Sequence, residues 1–347
     1  MYKLFSCCQL VSGYCRSLIQ DFHRKEVYFI PNDLYTFLGQ NKEELTKSKL
    51  NDLANSEVGK EYFDFLLDNE IVFNLPETFK LNFPEIDKSY EAPFDFEVLE
   101  LDSDIAIKHP IILEYIYDLD VRDVLVHFDF LDFNELKEFE TLLSSISSPS
   151  IILKFKNAKN YEQLGKVNEL VNKNPFIRYC ILEKSEIDVS SLEYIQTKNK
   201  SKFHVGINNS VEFYSLAKSK NPYYFKRLQI NSSTNIELLL SNKGVTFKET
   251  IKGLSEAGED IQNLTKDNIL VCKDCEFRYL CCDSDIPQKN AYNEWFQSNE
   301  CPYNPYISKW EGQVGYRNLL ECGIQNNKSG FLRDDEKLID INKELWD

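Results

Sequence analysis

From residue 123 to residue 219 the chain alternates four times between a short apolar run and an amphipathic stretch, and this alternation restricts its fold more than any other feature. The apolar runs Asp123–Phe130, Ser150–Lys156, Ile177–Glu183 and Phe203–Ile207 begin about 27 residues apart. That is the length of a strand, a helix and two short loops. Helical spacing follows each run, at Asn134–Ile146, Asn160–Asn172, a shorter stretch near Ser190–Thr197, and Ser210–Ser219. The runs VLVHFDF, IILKFK and IRYCILE are apolar nearly throughout, as strands covered on both faces must be. Right-handed crossovers between such units build a parallel sheet that curls toward a barrel. Four or five units cannot close an eight-stranded ring, so a partial (βα) barrel is expected over residues 86–222.

The flanks follow other patterns. Leu4–Leu10, Arg16–Phe22 and Glu26–Ile30 read as strands, separated by Gly13 and by His23-Arg24-Lys25. Pro31-Asn32-Asp33 opens a helix through Leu34–Leu38, and a charged helical pattern runs from Asn41 to Leu67. Strands followed by helices suggest a small winged-helix-like unit over residues 1–85. Beyond Pro222, Tyr223–Ile230 and Ile236–Ser241 read as a hairpin and Thr250–Asn263 as a helix. A cysteine-rich segment then completes a third domain, 223–315, and residues 316–347 form a polar tail expected to be ordered only in part. The fold class is α/β.

Composition narrows the functional classes. A formal charge of −16 and a pI near 4.9 exclude nucleic acid and anionic membrane as partners, because phosphate contacts need a basic face. The opening MYKLFSCCQLVSGYCRS has neither a basic start nor a sustained apolar core, so it is no export signal. Ten cysteines in such a chain point to a reducing compartment, with clustered thiols as metal ligands rather than disulfides. A soluble, cytoplasmic protein is expected.

Four of those cysteines, Cys272, Cys275, Cys281 and Cys301, form the pattern Cys-x2-Cys-x5-Cys-x19-Cys. Cys-x2-Cys lets two thiolates bind one metal from a tight turn. A third thiolate a short loop away and a fourth from a distant segment complete a tetrahedral sulfur shell, suited to zinc or an iron–sulfur cluster. Cys282 reads as a spare thiol that could compete with Cys281. Cys7 and Cys8, if both lay on one regular strand, would point to opposite faces and could not grip one ion together. Cys7, Cys8 and Cys15 therefore read as packing thiols, and so do Cys180 in its apolar strand and Cys322 in an apolar turn of helix. His127 and His204 lie on expected strands and read as satisfied core residues, and His23 and His109 carry no motif. Asp129 and Asp132 lie near a strand end, where barrels place active residues but where helix caps are also common. No glycine-rich phosphate loop is present among the twelve glycines. No catalytic residue and no organic-cofactor site are assigned.

CKDCEFRYLC (272–281) with CPYNPYISKW (301–310) resembles the SPASM domains that extend radical-SAM peptide-modifying enzymes. The closer likeness is to the SPASM-domain peptide maturases of grasp-with-spasm systems. GYCRSLIQDFHRKEVYFIPNDLYTFL (13–38) and YFKRLQINSSTNIE (224–237) resemble other parts of that family. The resemblance implies a partner role beside an ATP-grasp peptide ligase and a ribosomally synthesised precursor peptide. It also implies that Cys272, Cys275, Cys281 and Cys301 hold one [4Fe–4S] cluster. Such domains usually carry a second cluster, whose ligands are missing here: residues 235–251 contain no cysteine, and Ser284 and Asp285 stand where a trailing one would lie. No cysteine occurs between Cys15 and Cys180, so the Cys-x3-Cys-x2-Cys motif of SAM cleavage is also missing. The middle of the chain thus resembles a degenerate radical-SAM barrel.

The expected function is peptide maturation as a metal-containing partner of an ATP-grasp ligase. The precursor would add a strand to the edge of Glu26–Ile30, beside the helix Leu34–Leu38. Two alternatives stay open: an iron–sulfur peptide-modifying enzyme, and a zinc-stapled scaffold without catalysis.

Overall fold

The computed structural model describes residues 2–41, 45, 49, 57–112, 120–129, 133–143, 150–157, 161–184, 195–197, 205–230 and 259–346. The N-terminal strands are β1 (Tyr2–Leu4), β2 (Cys8–Val11), β3 (Ser17–Asp21) and β4 (Glu26–Ile30). They are followed by α1 (Asn32–Gln40), α2 (Glu57–Asp68) and β5 (Val72–Asn74). β2, β3 and β4 form an antiparallel sheet with β3 in the middle, and β5 returns to pair with β1. Being central, β3 is buried along its whole length, Gln20 and Asp21 included. Leu34 and Leu38, one helical turn apart on α1, turn the same face inward. They meet Cys8, Ile19, Ile30, Leu66 and Val72 in one core. The expected strand Leu4–Leu10 is instead two strands, β1 and β2, separated by a turn, and β5 after α2 was not anticipated.

The middle of the chain supplies β6 (Phe96–Asp102), α3 (Ser103–Lys108), β7 (Val121–Phe128), α4 (Phe133–Leu143) and β8 (Ser150–Asn157). It continues with α5 (Tyr161–Lys173), β9 (Ile177–Lys184) and β10 (Ile195–Thr197). Then come β11 (Val205–Ile207), α6 (Val211–Ser219) and β12 (Arg227–Ile230). A six-stranded sheet runs in the order β10-β9-β8-β7-β6-β12, and every neighbouring pair is parallel. Val124, Val126 and Phe128 of β7 and Ile151, Leu153 and Phe155 of β8 enter one core with Leu136 and Phe139 of α4 and Leu164 and Val167 of α5. Phe128 stacks on Phe155 at 4.9 Å and meets Phe139 edge-on at 5.6 Å. The helices cover this face of the strands, while the other carries the half-buried Lys154, Tyr179 and Ile181.

Several expectations need correction. β6, not anticipated as a strand, lies inside the sheet between β7 and β12 although it carries Glu97 and Glu100. Its carboxylates are tolerated because they are paired: Glu100 with His127 at 2.8 Å and with Arg227, and Glu97 with Arg122 at 3.1 Å. Residues 195–197, expected to be helical, form edge strand β10 against Cys180–Leu182, and 190–194 lie outside the described residues. β11 does not join the parallel sheet. It pairs antiparallel with Cys281–Asp283, and its half-exposed Ile207 would be misplaced in a strand covered on both faces. Residues 227–230 form β12, parallel to β6, where Leu228 and Ile230 are buried next to Leu99 and Leu101. The expected partner strand Ile236–Ser241 lies outside the described residues. Of the expected helix Thr250–Asn263, Glu259–Gln262 is described and helical (α7).

The C-terminal part contributes β13 (Cys281–Asp283), β14 (Pro287–Lys289), β15 (Trp295–Gln297), β16 (Tyr303–Asn304) and β17 (Lys309–Trp310). It ends with β18 (Ile324–Asn327), β19 (Gly330–Arg333) and α8 (Asp335–Trp346). The tail is therefore ordered throughout its described length, contrary to expectation. Three of its apolar residues, Ile324, Leu338 and Ile341, close a core with Tyr306, Ile307 and Cys322. Cys322 fills this core as expected, but from a turn rather than a helix.

Two compact units result. One comprises residues 91–204 and 223–263, the other 1–90, 205–222 and 264–347. No helix among the described residues is long and apolar enough to cross a membrane.

Candidate metal centre

Two successive tight turns carry the first three cysteines. Leu270 is anchored by its N–H to the carbonyl of Trp295 at 2.8 Å, and Val271 then takes a φ of 70°. A β-branched residue rarely adopts that conformation. The reversal delivers Cys272 into a 3-10 turn, closed by the Cys275 N–H on the Cys272 carbonyl at 3.0 Å. A second turn, with the Cys281 N–H on the Phe277 carbonyl at 2.9 Å, brings Cys281 to the start of β13. Cys301 approaches just before β16, and the Tyr303 N–H points at its Sγ at 3.5 Å. The Phe277 N–H makes the same kind of bond to Cys275.

The structure brings the four thiols together. Burial is the main cause that raises the pKa of each, to about 12 for Cys272 and about 11 for Cys301, with Cys275 and Cys281 raised as well. Mutual proximity adds to it: Cys301 raises the other three, Cys281 raises Cys275, and Cys272 raises Cys281. Thiols so close and so dehydrated resist ionising together without a cation among them. A bound metal reverses that balance, because it coordinates thiolate.

One cation of the protein's own lies beside them. Lys266, 6 % exposed, is paired with Asp283, and its charge works against the rise at Cys272 and Cys281. Asp283 also accepts from Gln297 Nε2 at 2.6 Å, and Cys272 donates to Gln297 Oε1 at 3.3 Å. Phe277, Tyr303 and Trp310 stand against the cysteines, with ring centroids 4.8–5.8 Å apart. Lys266, Asp283 and Gln297 were not anticipated from the sequence. A lysine and an aspartate in polar stretches look solvated, and nothing in their spacing marks them as buried.

Asp285, at the position of the missing trailing cysteine, has a structural task. It is 5 % exposed and accepts from the Asn299 side chain at 2.6 Å and the Asn299 N–H at 3.2 Å. It thereby ties the β13 loop to the segment that presents Cys301. Cys282 is adjacent to Cys281 on a strand, so its side chain leaves from the opposite face. It packs with the aromatic cluster.

The donor set, four soft thiols, suits zinc or an iron–sulfur cluster equally. A tetrahedral zinc shell with bonds of about 2.3 Å holds its sulfurs about 3.8 Å apart. Among the described residues, however, the only group of three or more ligand-type side chains whose ligand atoms all lie within 4.8 Å of one another is Cys7, Cys8 and Asp21. No three of the four thiols have all their sulfurs within 4.8 Å of one another.

Cys7 and Cys8 require a correction. Cys7 belongs to the turn before β2, not to the strand, so the two thiols converge although they are sequence neighbours. Burial raises the pKa of both. Asp21 is already engaged by the N–H groups of His23 and Arg24 at 2.8 and 3.0 Å and by the Arg24 guanidinium at 2.9 Å. The packing role expected of these cysteines is the one their surroundings supply. Cys180, 1 % exposed, is likewise a core residue. His127 is satisfied by Glu100, and Asp129 forms an exposed pair with Lys156. His204 and Asp132 lie outside the described residues.

No protein-family model and no curated protein matches the chain. Among solved structures, a dipeptide epimerase from Methylococcus capsulatus complexed with Mg ion aligns over 62 % of this chain and 70 % of that one, at 8 % identity and a TM-score of 0.26. A likeness that slight bears on neither fold nor function.

Proposed function

We propose that this chain is a SPASM-like partner protein in the maturation of a ribosomally synthesised peptide, and that Cys272, Cys275, Cys281 and Cys301 hold one [4Fe–4S] cluster in it. The observation that carries the reading is the convergence of these four buried thiols, with backbone N–H groups aimed at Cys275 and Cys301. Hydrogen bonds to ligand sulfur are one of the means by which a protein tunes such a cluster. Lys266 offsets part of the negative charge of four thiolates.

When bound, the cluster supplies a one-electron couple and a cross-link between the 272–281 turns and the segment at Cys301. The sequence lacks the motif for SAM cleavage, and the resemblance to grasp-with-spasm maturases implies that the chain works beside an ATP-grasp ligase and presents the precursor to it. β4, an edge strand, offers backbone groups for an added strand, which is how peptides commonly bind sheet edges.

Purification without oxygen, followed by metal and sulfide analysis, tests the centre. About four irons per chain with matching sulfide and broad visible absorbance are expected. One zinc per chain without colour would establish the staple instead. Capture of candidate precursor peptides on the immobilised protein tests the partner role, and no enrichment of any precursor would remove it.

A further inference from the structure

Away from the cysteine centre, a cavity of about 680 Å³ opens among β4, the Cys15 loop and α8. Its size is that of a small-molecule site. Its apolar wall comes from Tyr14, Phe29, Ile339 and Trp346. The last three are 44 %, 52 % and 56 % exposed, large hydrophobic groups left open to solvent around one concavity. Its charged members are Arg16 and Lys343 alone, and among the described residues no carboxylate lines it, in a chain whose net charge is −16.

Arg16 is held rigidly for use. Its Nε donates to Glu276 at 2.8 Å, one terminal nitrogen reaches Tyr303 Oη at 3.4 Å, and the guanidinium lies 3.6 Å over the ring of Phe29. A guanidinium has five N–H donors in a planar fork, so these contacts leave donors over. The loop that carries it is tight: any side chain at Gly13 would collide with the Arg16 carbonyl and with Glu276. Ser308, 5 % exposed and with a φ of 52°, lines the same cavity. Its hydroxyl lies within reach of the Cys15 thiol and the Tyr303 hydroxyl.

We infer that this cavity binds a carboxylate carried on an apolar body, with the carboxylate on Arg16 and Lys343 and the body against Phe29, Ile339 and Trp346. The planar fork of arginine matches a carboxylate's two oxygens. The aromatic and aliphatic wall requires a ligand that is not polar throughout. A free aryl or alkyl acid and the C-terminal residue of a peptide share this chemistry. The inference does not rest on the metal centre or on the partner role.

The test is calorimetric titration of the full chain with 3-phenylpropanoate and with acetyl-Gly-Gly-Phe bearing a free carboxylate, each beside its amide. Binding of the acids is expected, with the amides weaker by about tenfold or more, because the amide leaves the charged donors poorly paired. Tighter binding of the peptide acid identifies a peptide C-terminus as the source, and equal binding a free acid. Arg16→Met would strand Glu276 in the interior, so the variant of choice is Ile339→Trp, which fills the cavity from an exposed helix position and should abolish binding of both acids. No heat from either acid up to about 10 mM, equal affinity for acids and amides, or unchanged binding in I339W would each overturn the site.

Discussion

Cys275→Ser is expected to abolish metal retention, whereas Cys282→Ala leaves it intact. A serine hydroxyl is a harder and far less acidic donor than a thiol, and it binds iron or zinc poorly where three thiolates set the charge and geometry. Loss of an outer-shell partner already lowers metal affinity by about 10- to 100-fold, so loss of a direct ligand should exceed about 100-fold. Cys275 is the most instructive position because it stands at the junction of the two turns, with its carbonyl accepting from Arg278 and its sulfur from the Phe277 N–H. Without a metal, the turns at 272–281 and the segment at 301 are still joined by the Tyr303 hydroxyl on Glu276, by the Phe277 and Tyr303 rings, and through Asp283, Asp285 and their amide partners. Because binding energy at such a site is folding energy, hydrogen exchange across residues 264–310 should accelerate in C275S and stay slow in C282A. Equal metal content in the two variants would show that the ligand set has been misassigned.

The sequence revealed most where each residue does one thing. The apolar runs at 150–156 and 177–183 read as strands, and β8 and β9 lie at Ser150–Asn157 and Ile177–Lys184. The cysteine spacing likewise points to a shared site, and the structure brings the four thiols together. What escaped was decided by partners distant in sequence. Glu100 looks like a solvent-facing residue until Arg227, 127 positions later, is placed against it. Lys266 looks exposed until Asp283 and the thiols surround it. Cys7 and Cys8 were separated by assuming a regular strand where the chain turns. In the tail, three buried residues spread over Ile324–Ile341 sufficed to order it, too few to stand out against the charged background.

Glu100 also sets the acid limit of the parallel sheet. Burial opposes its ionisation, but the hydrogen bond from His127 and the charge of Arg227 outweigh it and hold the carboxyl at about 2, against an ordinary value of 4.5. A carboxyl whose folded value is depressed stabilises the fold when ionised. That contribution is complete above about pH 4.5 and is lost as the pH falls toward about 2. The difference corresponds to about 3 kcal/mol, at the lower end of what removing one partner of a buried pair costs. Glu100→Gln keeps the shape and removes the charge, so it should destabilise the unit containing β6 and β7 by about that amount at pH 7. The deficit relative to the parent chain should shrink as the pH is lowered to about 2, where the parent's carboxyl is itself being protonated. Arg227 adds to the effect at neutral pH, since without Glu100 its guanidinium keeps only the ring of Tyr223, 4.0 Å away, and the more distant contacts of a buried charge. Hydrogen exchange of residues 96–102 and 121–128 at pH 7 and at pH 3, corrected for intrinsic rates, reads this directly. A deficit that is equal at both pH values would mean that Glu100 acts through packing and not through its charge.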